Sequence, residues 1–279
     1  MSGIVWLASY LKSGNTWMRL ALASAREGGV AVDINRFGGG DDTISASRRH
    51  FDSVLDIDSA DLTASEILAA RATAYRLVAE TLGVPALWKT HEACTHGPDG
   101  TPIFPASATA GVVYIVRDPR DVAVSLASHV GGTIDDVIAL MAESGRIASK
   151  ATIALPLQLE QQIGSWSENV ESWLDRGPCQ PIMVQYEDMR RDMAAVLRRV
   201  TEGIGMPTSI AAISAAVGAT DFKVLRAQEE QFGFAERPET AQRFFRSGIA
   251  GGWREALSAA QVARIERDHG TVMARLGYL

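Results

Sequence analysis

The sequence predicts an α/β fold: a single domain over residues 1–279, built on a central, mainly parallel sheet flanked by helices. Three observations carry this expectation. Short apolar runs rich in β-branched residues alternate with stretches of helical periodicity. The unit strand, loop, helix recurs along the chain, and no internal repeat, low-complexity block or linker divides it.

Ile4 to Ala8 is a short apolar run, Ser9 to Gly14 interrupts it, and from Thr16 the spacing of Trp17, Leu20, Ala21 and Ala23 or Ser24 suits a helix ending near Gly28. From Gly28 to about Ala60 the chain shows little periodicity and carries Gly38-Gly39-Gly40-Asp41-Asp42, the composition of a long mobile surface segment of the kind that borders sites. Thr63-Ala64-Ser65-Glu66 is a capping-box pattern, in which hydroxyl and carboxylate each satisfy a main-chain N–H; the helix it opens runs through Ala79 and stops at Gly83. Ala86 to Lys89 reads as a short strand.

Gly111 to Val116 is a compact β-branched run suited to a strand covered on both faces. Asp118-Pro119 breaks it, and Val122, Leu126 and His129 then stand at helical spacing, with Pro119 near the helix start and Gly131-Gly132 at its end. Leu157 to Asp175 is expected as a helix, Pro181 to Gln185 as a strand and Arg190 to Gly203 as a helix.

Composition narrows the function classes. With 47% hydrophobic residues, 25 Gly and 10 Pro in 279, the chain is neither disordered nor collagen-like. A net charge of −6 argues against a general nucleic-acid binder, so an anionic ligand needs a few local cations. The longest stretches without charge or His, Gly203–Thr220 and Gly100–Val116, hold Pro, Gly and Ser/Thr, so no membrane span is expected. Ile4 to Ala8 is too short for a signal-peptide core, and two cysteines, Cys94 and Cys179, suit a reducing compartment; a cytoplasmic protein is the expectation.

Four segments bring together chemistry-bearing residues. The first, Tyr10 to Trp17, joins a strand to a helix start, where unpaired N–H groups and the helix dipole suit an anion. Lys12 adds charge, Ser13 and Thr16 add hydroxyl donors, and Gly14 permits close approach; the same residues also suit an ordinary strand-to-helix turn. The segment does not match Gly-x4-Gly-Lys-Ser/Thr. The second places Arg117 at the carboxyl end of a buried strand, the crevice where open α/β sheets bind ligands, and Ser125 in the following helix. Local ion pairing among Arg117, Asp118, Arg120 and Asp121 is the alternative.

The third segment is Trp88-Lys89-Thr90-His91, where a His close to a Lys can act as base beside an anion-stabilising cation. His91, Cys94 and His96 also have metal-ligand side chains, but the set lacks a fourth ligand. The fourth, Arg243 to Arg254, sets Arg246 and Ser247 beside Gly248 in a Gly-rich, aromatic stretch that either closes over a phosphate or forms a basic loop.

In this order the segments resemble the cytosolic-type sulfotransferases that use 3′-phosphoadenosine-5′-phosphosulfate. That family has a Pro-Lys-Ser-Gly-Thr-Thr-Trp loop, a Lys-Thr-His segment, an Arg-then-Ser strand-helix element and a late Arg-Lys-Gly-x-x-Gly-Asp-Trp-Lys loop. Tyr186-Glu187-Asp188-Met189 and Thr220-Asp221-Phe222 resemble two further family pieces, so the resemblance runs from Trp6 to Arg254. The opening Trp6-Leu7-Ala8-Ser9-Tyr10 and the ending Leu276-Gly277-Tyr278 are similar to small bacterial members, including those that modify glycopeptide antibiotics. Leu11 stands where the family has Pro, Ser247 replaces the late-loop Lys and Gly252 its Asp; a weaker hold on the 3′-phosphate follows.

The resemblance implies transfer of a sulfuryl group from that donor to a hydroxyl of a small-molecule or natural-product acceptor, leaving adenosine 3′,5′-bisphosphate. It implies His91 as general base, Lys12 at the bridging oxygen and Lys89 at the sulfuryl oxygens. Ser13, Gly14, Asn15 and Thr16 would hold the 5′-phosphate, and Arg117, Ser125, Arg246, Ser247 and Gly248 the 3′-phosphate. Trp17 and Phe222 would sandwich the adenine, with Tyr186 and Thr220 at its edge, and the strand-loop-helix element would bind the phosphosulfate. No metal and no nucleic-acid partner are implied, and the assembly expected is a monomer or weak homodimer, because Arg254 to Ala259 only faintly resembles the family's dimer segment. The competing readings are a nucleotide-dependent kinase, which requires a Mg²⁺-holding carboxylate and the usual phosphate loop, and a nucleotide-binding regulatory protein without catalysis. The acceptor pocket is expected between Gly28–Ala60, Glu92–Ser107 and Val130–Leu157.

Overall fold

A computed structural model describes residues 2–36, 42–149 and 156–279. Among these, the strands are β1 (Ile4–Ser9), β2 (Thr43–Ile44), β3 (Ala86–Thr90), β4 (Thr109–Val116), β5 (Ile147–Ala148), β6 (Gln161–Gln162) and β7 (Ile182–Gln185). The helices are α1 (Asn15–Arg26), α2 (Arg48–Leu55), α3 (Ala64–Thr81), α4 (Pro119–Val130), α5 (Ile134–Ala142), α6 (Trp166–Arg176), α7 (Tyr186–Arg191), α8 (Met193–Gly203), α9 (Ile210–Ala219), α10 (Phe222–Phe232), α11 (Trp253–Ala256) and α12 (Ala259–Arg275). One five-stranded sheet runs in the order β2-β3-β1-β4-β7, and β5 and β6 form a separate antiparallel pair. β1 lies parallel to β3, with Ile4 opposite Ala86 and Leu7 opposite Lys89, and β2 is parallel to β3. The predicted α/β fold with a largely parallel sheet is what forms.

Contacts gather the chain into two compact units, each built from three segments. The first takes Met1–Tyr10, Gly40–Tyr114 and Glu143–Ile182; the second takes Leu11–Gly39, Ile115–Ala142 and Met183–Leu279.

In the first unit every residue of β1 is buried, as the uninterrupted apolar run requires of a central strand. The Trp6 ring meets Tyr75 and Phe104 edge-on at centroid distances of 5.0 and 4.9 Å, a favourable arrangement for aromatic quadrupoles. α3 begins on the expected capping box: the Thr63 hydroxyl accepts the Glu66 N–H, and the Glu66 carboxylate accepts the Thr63 N–H. In the second unit α1 packs against α8 and α9, and α4 against α5, α11 and α12. Its apolar cluster joins Leu20, Ile34, Leu225, Phe234 and Phe245, with Trp17, Phe222 and Phe244 at its margin.

Three local expectations are corrected. The stretch from Gly28 to Ala60 is not one long irregular segment. It contributes β2 to the sheet and α2 capped by Ser47, followed by a 3-10 turn at Ser59–Asp61; Gly38, Gly39, Gly40 and Asp41 lie outside the described residues. Leu157 to Asp175 is not one helix, because Ser165 and Glu168 form a capping box that starts α6 at Trp166. The residues before it pair instead, Gln162 with Ile147 and Gln158 with Ser47. The Arg190 to Gly203 helix divides at Asp192, whose extended backbone (φ −152°) and carboxylate, accepting the Ala195 N–H, cap α8.

No single helix among the described residues is long and apolar enough to cross a membrane; α4 and α5 reach that length only together, and they are bent by 116°.

Candidate functional site

In the first unit, β1 and β3 carry Ser9 and His91 to neighbouring positions. His91 Nδ1 lies 3.0 Å from the Ser9 carbonyl oxygen and 3.1 Å from Ser9 Oγ. A carbonyl can only accept, so the proton of the neutral ring belongs on Nδ1 and Nε2 is its basic nitrogen. Lys89 is half-buried on β3 in register with Leu7 and Ile44, and its carbonyl accepts the Ser45 N–H.

Beyond His91, Glu92 is buried and receives a bidentate pair from Arg71 at 2.6 and 2.7 Å. The pair is inside the protein, where breaking one partner is far costlier than the pair's own net contribution. The Cys94 thiol faces the Arg176 carbonyl at 3.5 Å, and burial pushes it up to about 12. His96 bridges to Pro102 in a local turn. No group of three or more His, Cys, Asp or Glu converges as a metal site among the described residues.

In the second unit, the loop leaving β1 turns into α1. Lys12 sits in the left-handed region at φ 62°, an uncommon state for a side-chain-bearing residue that places its ammonium 3.3 Å from His129 Nδ1 and 4.1 Å from the centroid of the Phe244 ring. Gly14 precedes α1 at φ 101°, and a Cβ there would lie 2.7 Å from the Tyr186 ring, so only glycine fits. Gly14, at the N-cap, has no side chain to cap α1, and the first turn holds no acidic residue. The Ser13 hydroxyl beside it is buried and has no hydrogen-bond partner among the described residues. Asn15 and Thr16 are buried in the first turn, and Trp17 is half-buried.

Arg117 follows β4. Its guanidinium donates to the carbonyls of Lys12 (3.3 Å) and Ile249 (2.8 Å) and lies over the Tyr186 ring at 4.2 Å, while Nε is buried without a hydrogen-bond partner among the described residues. Of the alternative ion-pair cluster, Arg120 and Asp118 pair with each other, and Arg120 also pairs with Glu266, at 2.8 Å each. Asp121 accepts N–H groups of the late loop from Gly251 and Trp253, a task that no local spacing announces. Ser125 is half-buried in the second turn of α4. Arg246 and Ser247 are exposed, and Gly248 (φ 61°) lies so close to Phe222 that a Cβ would stand 2.6 Å from its ring.

Trp17 Nε1 donates to the Thr220 carbonyl at 2.9 Å, and the Trp17 and Tyr186 rings meet at 6.1 Å. Thr220 is fully buried and its hydroxyl donates to Ala216, so it acts through its carbonyl by fixing Trp17. Glu229, unremarked in the sequence, accepts the N–H groups of Phe244 and Phe245 at 2.7 and 2.8 Å and so fixes the segment before Arg246.

A buried helix start without an acidic cap, an orphaned Ser13 hydroxyl and a guanidinium paired with carbonyls fit a phosphate-bearing ligand. Comparison decides the family: the sulfotransferase domain profile matches residues 3–277. The chain belongs to the sulfotransferase domain family. Among curated relatives, mouse sulfotransferase 2B1 is 27% identical over 163 residues, covering 56% of this chain and 45% of that protein. Guinea-pig 3-beta-hydroxysteroid sulfotransferase is 24% identical over 190 residues, covering 62% and 60%. The chain thus spans about half the length of the curated relatives it matches. Among solved structures, mouse sulfotransferase SULT7A1 complexed with PAP aligns over 97% of this chain and 84% of its own, with TM-score 0.61 and 17% identity. Retinol dehydratase in a complex with retinol and PAP aligns over 97% and 81%, with TM-score 0.59 and 19% identity. At these identities the two structures show a shared sulfotransferase fold.

Proposed function

We propose that this chain is a one-domain enzyme that transfers a sulfuryl group from 3′-phosphoadenosine-5′-phosphosulfate to a hydroxyl of a small-molecule acceptor. The observation that carries the reading is the His91 Nδ1 contact with the Ser9 carbonyl, because it makes Nε2 the basic nitrogen of a histidine beside a lysine-bearing strand end. Family membership, PAP in the structural neighbours and retinol in one of them support the donor and the acceptor class.

The bound donor supplies the sulfuryl group, and its sulfur-to-bridging-oxygen bond is the one that breaks. His91 Nε2 takes the acceptor's hydroxyl proton as the new oxygen-to-sulfur bond forms. Lys12 neutralises charge at the bridging oxygen, and Lys89 neutralises charge at the sulfuryl oxygens. Ser13, Gly14, Asn15 and Thr16 hold the 5′-phosphate through the start of α1. Arg117, Ser125, Arg246, Ser247 and Gly248 hold the 3′-phosphate, with Ser247 offering a hydroxyl where the family uses Lys. Trp17, Phe222 and Tyr186 surround the adenine, and Thr220 fixes Trp17 through its carbonyl. No residue is assigned to a metal. A cytoplasmic setting fits two cysteines that are both free thiols, and a monomer or weak homodimer is the assembly in this reading.

The test is single-turnover transfer from labelled donor to 2-naphthol. His91→Ala is expected to slow transfer about 100-fold or more while adenosine 3′,5′-bisphosphate affinity stays within about threefold. Joint loss of nucleotide binding and transfer would make His91 structural instead.

A further inference from the structure

Asn169, on α6, is completely buried and belongs to no motif that the sequence singles out. Its side-chain amide donates to the His91 carbonyl at 3.0 Å and to the Ile163 carbonyl at 2.9 Å, and its oxygen accepts the Tyr114 hydroxyl at 2.9 Å. Carbonyls cannot donate, so the reverse orientation of the amide would set oxygen against oxygen twice; the network admits one arrangement. One turn further along the same face of α6, the Ser172 hydroxyl accepts the Cys94 N–H at 2.8 Å, and Trp173 Nε1 donates to the Glu92 carbonyl at 2.8 Å. Positions i, i+3 and i+4 of one helix therefore suspend the main chain of residues 91–94. Ser9 completes the arrangement from β1, with two oxygens on His91 Nδ1.

We propose that Asn169 and Ser9 are positioning residues that prepare His91 as the base, Asn169 by fixing its main chain and Ser9 by fixing its ring. This rests on the transfer reading above. Once Nε2 has taken a proton, the ring is a cation whose Nδ1–H is shared between the Ser9 carbonyl and hydroxyl, and both oxygens favour the charged form. The Asn169 contact keeps the ring within reach of those oxygens. Without it the His91 main chain is free to shift, and the preference for one tautomer goes with it.

The full chain, labelled with ¹⁵N-histidine, reports this directly, and the His91 signals are assigned by their absence in His91→Ala. Wild type is expected to hold a single tautomer with Nδ1 protonated. Ser9→Ala, keeping the carbonyl, is expected to retain the tautomer while the ring's titration midpoint falls by about one pH unit, and Ser9→Thr to restore it. Asn169→Ala is expected to show mixed tautomers and a turnover of 2-naphthol about 10-fold lower, with KM and bisphosphate affinity unchanged. Should Asn169→Ala fail to fold, the two Ser9 variants decide. An Nε2-protonated ring in wild type, or a midpoint unmoved in Ser9→Ala, would overturn the proposal. So would unchanged tautomer and turnover in a folded Asn169→Ala. If the tautomer is as stated and no sulfate moves, the transfer reading is what fails, and the positioning role falls with it.

Discussion

Asp121 Oδ2 accepts the Gly251 main-chain N–H at 2.6 Å, and its other oxygen accepts that of Trp253 at 2.9 Å. A carboxylate at the start of α4 thereby anchors the loop that follows Arg246, Ser247 and Gly248. Hydrogen bonds to a charged acceptor are each worth about 1.5–3 kcal/mol. Asp121→Ala is expected to weaken adenosine 3′,5′-bisphosphate binding by about 10-fold or more, read by calorimetry, because the loop then has to be ordered by the ligand. A folded variant with wild-type affinity would show that the anchor has no bearing on the nucleotide.

Arg117 has its Nε buried with no hydrogen-bond partner among the described residues, and its guanidinium donates to the carbonyls of Lys12 and Ile249. An anion there would gain charge-assisted bonds that the protein does not itself supply. The bisphosphate should therefore bind at least about 10-fold more tightly than adenosine 5′-monophosphate, and Arg117→Gln should erase most of the difference. Equal affinities in wild type would sink the assignment of Arg117 to the 3′-phosphate.

Lys12 is held in the left-handed region, and its ammonium is assigned to the leaving oxygen. Lys12→Ala is expected to cost about 3 kcal/mol of transition-state stabilisation, as for loss of a strong oxyanion contact, and Lys12→Arg to rescue poorly because a broad planar guanidinium is not a point charge. Transfer by wild type should persist after exhaustive chelation. Loss on chelation with recovery by one divalent metal would refute a transfer driven by lysine charge.

His269, on α12, is buried, and burial pushes its ring down to about 4, with the nearby Asp268 charge opposing the shift. The unfolded chain takes up a proton near the ordinary value of about 6.5, which the folded chain refuses until near 4. Folding stability from this group is intact above about pH 6.5, declines as pH falls below it, and is fully lost below about pH 4. Between pH 7 and pH 5 the decline is about 2 kcal/mol. His269→Gln should flatten that part of the urea-midpoint profile, and an unchanged acid slope would place the acid sensitivity elsewhere.

By itself the sequence determined the alternation of strand and helix, the capping box at Thr63 and Glu66, the Pro119 helix start and the order of the four chemistry-bearing segments. These signals act over a few residues: a cap needs a hydroxyl and a carboxylate three positions apart, and a buried strand needs an apolar run. Helical periodicity misled between Leu157 and Asp175, where the cap formed by Ser165 and Glu168 and the pairing of Gln162 with Ile147 override it. Tertiary structure alone decided the partners: Asp121 with Gly251, separated by 130 residues, and Asn169 with His91, separated by 78. It also turned the Thr220 hydroxyl inward to the Ala216 carbonyl, so that Thr220, expected at the edge of the adenine, meets Trp17 through its own carbonyl. A hydrogen bond depends on where two atoms meet in space. For residues so far apart, the path of the intervening strands and helices sets that meeting, and no local pattern of residue types encodes it.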